Sequence, residues 1–244
     1  MCAAFSDSLD LTANKSGRYS DLKPSEIDPI LAATPIAYVP WGALEWHSAH
    51  APIGLDSTKA EGICLALAEK TGGVVLPAIP LATNTIKPFK GFPHSIDISG
   101  GLITNLAEEI CLQLADEGFR VIILFTGHYP PEQIEALKAG ATRAGEKGTG
   151  AFFKVCADND FLEGGAFSAD HAGAYETSYQ MYFNPGSVDC SALPDRPVTL
   201  DDDGITGEDP RKASEERGAT QLETLLENAL PAIAAWTNQE KREK

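Results

Sequence analysis

The sequence predicts an α/β fold in which a parallel sheet is covered by helices on both faces, and three observations carry that reading. Short apolar runs bounded by proline or glycine (PIAYVP, GVVLPAIPL, RVIILFTG, GAFFKVCADND) alternate with longer amphipathic segments. Strand, helix, strand repeated in this way produces right-handed crossovers and one parallel sheet. The strand runs are also almost wholly apolar, as strands buried on both faces are. No linker divides the 244 residues, a length that suits a single large domain spanning 1–244.

Residues 1–28 are polar and weakly patterned, and read as an N-terminal arm that meets the domain near Lys23 and Pro24. Pro35 to Pro40 gives the first strand. Ser57 to Lys70 has the form of a capped helix, with Thr58 and Glu61 as a capping box and a stop at Gly72 and Gly73. GVVLPAIPL is the next strand. The Gly/Pro-rich loop ATNTIKPFKGFPHSIDISGG follows, too long for mere connection, and Phe89, Phe92 and His94 mark it as functional. Leu102 to Gly118 reads as a helix with Leu102, Leu106, Ile110 and Leu114 on its apolar stripe. Val121 to Phe125 is the strongest strand, broken by Thr126, Gly127 and His128; Pro130 or Pro131 then opens a helix over Glu132 to Ala144. A fourth strand ends near Cys156, His171 and Glu176 stand at a helix entry, and NPG at 184–186 closes that helix. The acidic run Asp201 to Asp203 reads as a solvated turn, and Leu222, Leu225, Leu226 and Ala229 form the inner face of a terminal helix.

Composition narrows the functional classes. A net charge of −16 disfavours nucleic acid and anionic membrane as partners and favours cations. No apolar run is long enough to span a bilayer, and the N-terminus lacks a basic start followed by an apolar core. The five cysteines are scattered, without a CxxC pair, and read as reduced thiols of a cytoplasmic protein. No glycine-rich phosphate cradle follows any strand, so a nucleotide-binding module is disfavoured.

Chemistry concentrates in PWGALEWHSAHAPIGLD, residues 40–56, which packs Glu45, His47, His50 and Asp56 among prolines and glycines. Side chains of a strand alternate, so Glu45 and His47 leave the end of the first strand on one side. Each of the five histidines (His47, His50, His94, His128 and His171) sits beside a loop or strand end. His128 lies just past a buried strand, where α/β folds place chemistry. Mixed imidazole and carboxylate ligands suit zinc, manganese or iron, and a carboxylate shared between two such ions suits a binuclear site.

Three segments together resemble the creatininase (creatinine amidohydrolase) family: GALEWHSAHAPIGLD, TGHYPP and HAGAYETS. GFPHSIDIS and GITGEDPRKASEERG resemble two further elements, so the likeness covers roughly residues 30 to 220. The resemblance implies a three-layer α/β/α sandwich with a mainly parallel sheet, two divalent metal ions at the strand C-termini, and a ring-shaped homo-oligomer, a hexamer. Carried over by residue, it assigns Glu45 and His128 to one metal, His47 and Glu176 to the other, and Asp56 to both. Creatininase proper has a metal-binding glutamate where this chain has Pro130, so Glu176 or Glu132 must supply that ligand, and Glu176 is favoured. Thr126 and Ser48 stand where the family often has asparagine and glycine.

The expected reaction is hydrolysis of a small amide or cyclic amide C–N bond by metal-activated water. His171 would shuttle a proton to the leaving nitrogen, and Glu176 belongs to the same catalytic set. Tyr129, Trp46, Phe92 and His94 are candidate substrate contacts. His50 is expected to orient a ligand or its loop from behind, and Asp170 to fix the His171 tautomer by a hydrogen bond. The alternatives are a catalytically inactive metal-binding α/β protein and a branch acting on a formamide or peptide rather than creatinine.

Overall fold

The computed structural model of the chain describes residues 16–162 and 167–240. The first part of the expected arm, with Cys2, and residues 163–166 of the loop over 158–170 lie outside the described residues. The elements run β1 (Ser16–Arg18), α1 (Pro24–Ala33), β2 (Ile36–Trp41), α2 (Leu55–Thr71), β3 (Gly73–Val75), α3 (Ile86–Lys90) and α4 (Gly100–Asp116). They continue with β4 (Val121–Thr126), α5 (Pro131–Gly145), β5 (Phe152–Ala157), α6 (Ala174–Phe183), α7 (Leu200–Asp203) and α8 (Glu215–Glu240). The five strands form one sheet in the order β1-β3-β2-β4-β5, every pair parallel.

Alternation along the strands builds two cores. Ile36 and Tyr38 of β2, with Val121, Ile123 and Phe125 of β4, face a layer made of α2, α6 and α8, where Ile63, Leu67, Tyr179, Leu225 and Ile233 pack. Ala37, Val39 and Trp41, with Ile122 and Leu124, face the other layer, in which Ile30, Ile103, Ala107, Cys111 and Leu137 pack from α1, α4 and α5. The result is the three-layer α/β/α sandwich. Each fully buried aliphatic or aromatic side chain contributes roughly 1.5–3 kcal/mol to it.

Several local expectations are corrected. Residues 16–28 are not a free arm: β1 pairs with β3 at the sheet edge, and α1 starts at Pro24. Helix α2 begins at Leu55 with Gly54 as its N-cap, so Thr58 lies inside it and bonds back to the Gly54 carbonyl in place of a capping box. Asp56 is therefore in the first helical turn, not in a loop ahead of it. On α4 the buried stripe runs one residue later than expected, through Ile103, Ala107 and Cys111, and Leu102 is 53% exposed. The acidic run is a helical turn, α7, and Asp203 is buried against Arg196 at 2.7 Å. Strand β3 has only three residues; Ile79 and Ala82 beyond it make isolated bridges to Trp41 and Asp97. The cysteines described are free thiols, three of them buried.

Because every strand runs the same way, the segments after β2, β4 and β5 all leave at one edge of the sheet. They converge closely. A Cβ on Gly127 would stand 2.2 Å from the Asp56 carbonyl oxygen, and one on Gly42 2.3 Å from Ser57 Oγ. Only glycine permits the start of α2 to sit against the ends of β2 and β4.

Candidate metal centre

Glu45, His47, Asp56, His128 and Glu176 all converge at that edge, and each is at most 5% exposed. Asp56 Oδ1 is 3.5 Å from His47 Nε2, and Asp56 Oδ2 is 3.5 Å from His128 Nδ1. His128 Nδ1 also lies 2.7 Å from Glu45 Oε1, and His47 Nε2 lies 3.5 Å from Glu176 Oε2. Two groups of three are compact enough to share one ion, Glu45–Asp56–His128 and His47–Asp56–Glu176; a third joins Glu45 and His47 to His171.

Backbone carbonyls orient the imidazoles. His47 Nδ1 is 3.1 Å from the Glu45 carbonyl oxygen, His128 Nε2 is 3.2 Å from that of Thr83, and His171 Nε2 is 2.9 Å from that of Trp46. A carbonyl only accepts, so each of these nitrogens carries a proton, and the opposite nitrogen of each ring is the one turned toward the carboxylates. Of the four described non-glycine residues in the left-handed conformation that L side chains rarely adopt, two follow site histidines, Ser48 (φ 61°) after His47 and Ala172 (φ 55°) after His171. That is where the histidines must turn inward, and such strain clusters at functional sites.

Glu45 Oε1, His47 Nε2 and Asp56 Oδ2 are buried and have no hydrogen-bond partner. Buried polar atoms are ordinarily paired, so three orphans aimed at one space mark a cation site. The electrostatics agree. Burial would lower the His128 pKa, but the Glu45 and Asp56 carboxylates push it up to about 10. His47 is likewise raised, its burial outweighed by Asp56 and Glu176. Glu176 is destabilised as an anion by burial, yet the Lys59 ammonium holds it below the usual carboxylate range.

A cavity of about 360 Å³ opens onto the cluster, lined by Glu45, Asp56, His128, His171 and Glu176, with Phe89 and Leu200 among its other walls. Tyr129 lines it, its hydroxyl 2.6 Å from the Asp170 carbonyl oxygen and 2.9 Å from Glu176 Oε1, two acceptors for its one proton. Trp46, Phe92 and His94 do not line it. They form a ring stack to one side, Trp46 lying 5.9 Å from Phe92 and 6.4 Å from His94; β2 ends at Trp41, so Glu45, Trp46 and His47 lie on the irregular segment after it, not on the strand. Phe89, 63% exposed, stands at the cavity instead.

One other expectation is corrected. Asp170 does not touch the His171 ring; its carboxylate accepts from the Tyr175 and Glu176 amides at the start of α6, and the Trp46 carbonyl orients His171. The Asp170 carboxyl is pushed up to about 7, chiefly by burial and then by Glu176. Glu132, the less favoured alternative to Glu176, is exposed and accepts from Asn84 at 2.7 Å. His50 sits behind the cluster with Nε2 2.9 Å from Thr177 Oγ1, next to Glu176.

Sequence reasoning missed Lys59 and Asp158. Lys59 is fully buried, with Nζ 2.6 Å from Glu176 Oε1 and 3.4 Å from Asp158 Oδ2. Its signal was positional: residues 56, 59, 63 and 67 are one helical face, and a lysine on a face that is otherwise buried needs an anion.

Comparison with known proteins fits this geometry. The family model for creatininase (creatinine amidohydrolase) matches residues 20–233. A creatinine amidohydrolase from Pseudomonas putida is 24% identical over 235 residues, 84% of this chain and 90% of its own length. A crystal structure of creatinine amidohydrolase (creatininase) superposes with a TM-score of 0.76 at 25% identity, covering 89% of this chain and 96% of that one. A structure described as creatininase Mn does so at 0.75 and 25% identity, covering 90% and 98%. A match of that extent makes the chain a member of the creatininase family, an amidohydrolase acting on a non-peptide C–N bond.

Proposed function

We propose that the chain is a binuclear metal-dependent hydrolase of a small amide or cyclic amide. The observation that carries this reading is the Asp56 carboxylate, whose two oxygens each lie 3.5 Å from a different histidine, Oδ1 from His47 and Oδ2 from His128. One carboxylate facing two donor groups in opposite directions is what a shared pair of ions requires. Glu45 and His128 would hold one ion, His47 and Glu176 the other, and Asp56 both; the mixed nitrogen and oxygen set suits zinc, manganese or iron. A relative is described with manganese. Divalent ions held by these residues would lower the pKa of a bound water and polarise an amide carbonyl.

The chain's own groups do the rest. The Trp46 carbonyl keeps the proton of His171 on Nε2, so Nδ1, 3.9 Å from Glu45 Oε1, takes the proton from the attacking water and passes it to the leaving nitrogen. Tyr129 and Lys59 fix Glu176 Oε1, leaving Oε2 toward His47. The cavity of about 360 Å³ is at the small end for ligand sites. It suits a compact substrate whose apolar part lies against Phe89 and Leu200. As the family likeness implies, the enzyme works as a homo-oligomer, which light scattering after gel filtration would check; its scattered cysteines suit the cytoplasm.

Elemental analysis tests the reading. Chelator-treated protein reloaded with zinc or manganese is expected to hold about two ions per chain, and Glu176→Ala about one. No uptake by either would overturn it. Two ions in the wild type justify screening amides and cyclic amides for turnover.

A further inference from the structure

Glu176 is gripped from the side away from the cavity. Lys59 Nζ donates to its Oε1 at 2.6 Å, lies 3.4 Å from Asp158 Oδ2, and sits 4.4 Å above the Tyr129 ring. Tyr175 donates to the same Asp158 oxygen at 3.0 Å. Four carboxylates, Glu45, Asp56, Asp158 and Glu176, are thus buried together. Among the described residues, Lys59 is the one ammonium or guanidinium paired with any of them; the other ion-pair partners are the imidazoles of His47, His128 and His171.

Buried anions at this spacing repel one another and are costly unless paired. Divalent ions would relieve that cost, but the chain must fold before it holds them. We propose that Lys59 is a built-in counter-cation of the metal centre: it balances the donor carboxylates in the metal-free protein, preforms the site, and opposes the incoming ion at Glu176. The inference rests on the metal-dependent reading above. It gives Lys59 two consequences of one sign. Removing the ammonium should destabilise the metal-free state and also remove a repulsion from the metal-bound state, so binding and folding become more tightly coupled.

The test is a comparison of melting temperatures with and without metal. Wild type and Lys59→Met are melted in chelator and again after loading with zinc or manganese. Metal raises the wild-type melting temperature because the ion binds only the folded chain. The rise is expected to be greater in Lys59→Met by about 5 °C or more. A variant that folds only when metal is added is the extreme of the same result. A purely structural lysine would lower both melting temperatures alike, and an unchanged rise would overturn the proposal. A smaller rise, the mark of a lysine that merely aims Glu176 at the ion, would overturn it too. Should Lys59→Met fold under neither condition, Lys59→Met/Asp158→Asn is compared with Asp158→Asn: a larger rise in the double variant supports the proposal, an equal or smaller one defeats it. Failure of the metal reading looks different, with no rise and no bound ion in the wild type.

Discussion

Glu45 and His47 enter the donor cluster, whereas Trp46, between them, enters a ring stack with Phe92 and His94. The two regions share a strand end and obey opposite rules. In the stack the polar groups are paired: the Trp46 indole N–H donates to the Asp203 carbonyl at 3.2 Å and its amide to Ser95 Oγ at 2.9 Å. In the cluster Glu45 Oε1, His47 Nε2 and Asp56 Oδ2 make no hydrogen bond and meet only the charged groups of the cluster itself. Offset aromatic pairs instead contribute about 0.5–1.5 kcal/mol each. The stack therefore stabilises the loops around the site, and the cluster stores a demand for cations that only ligand binding meets.

The largest effect that can break this contrast comes from Asp56→Asn, which keeps the shape and removes the charge that faces both histidines. Turnover is expected to fall by at least about 10³-fold in kcat/KM, equal to ~4 kcal/mol of transition-state free energy. The metal-free melting temperature should also fall, because burial opposes the Asp56 charge but His47 and His128 hold its carboxyl well below the usual carboxylate range, and asparagine loses both attractions. A variant that still binds metal as the wild type does would make Asp56 a structural residue and erase the distinction between the regions.

Next in size is Gly127→Ala. The new Cβ would meet the Asp56 carbonyl oxygen at 2.2 Å, a contact that only backbone movement relieves. A loss of about 3 kcal/mol in urea unfolding is expected, the cost of overpacking a rigid contact. His128 adjoins Gly127, so the ion shared by Glu45 and His128 should be lost before the one at Glu176, which elemental analysis would show. Equal loss of both ions would mean that the two halves of the cluster cannot be separated.

Identity and spacing singled out Glu45, His47, Asp56 and His128 as candidate donors, and the resemblance to the family added Glu176 and the division of donors between two ions. What stayed hidden depends on partners distant in sequence. Lys59 and Asp158 are separated by 99 positions and meet only because α2 packs against the ends of the sheet. The aromatic stack was misassigned because composition cannot tell which side of a loop a ring takes. The α4 stripe slipped by one residue since Leu102 and Ile103 are both apolar, and only packing against α5 selects Ile103. Strand β1, three residues containing a glycine and paired on one side only, has no apolar run to announce it.

Trp46→Phe sharpens the comparison at smaller amplitude. Phenylalanine keeps an aromatic face toward Phe92 and loses the indole bond to Asp203, for about 1–2 kcal/mol of stability. The Trp46 carbonyl carries His171, so kcat should drop several-fold while KM and bound metal change little. Loss of metal in this variant would instead show that the stack holds the cluster together.

The smallest effect is expected at His94. Its ring completes the stack 6.4 Å from Trp46, it is exposed, and its φ of 60° is one that asparagine also tolerates. His94→Asn therefore removes the ring without forcing the backbone. Stability should stay within about 0.5 kcal/mol of the wild type, the range of ordinary surface changes. Activity toward the amide found by screening should stay within about twofold, a change of ~0.4 kcal/mol. A drop of tenfold or more, with metal retained, would move His94 into the substrate site and show that the loop around it closes over the cavity when substrate binds.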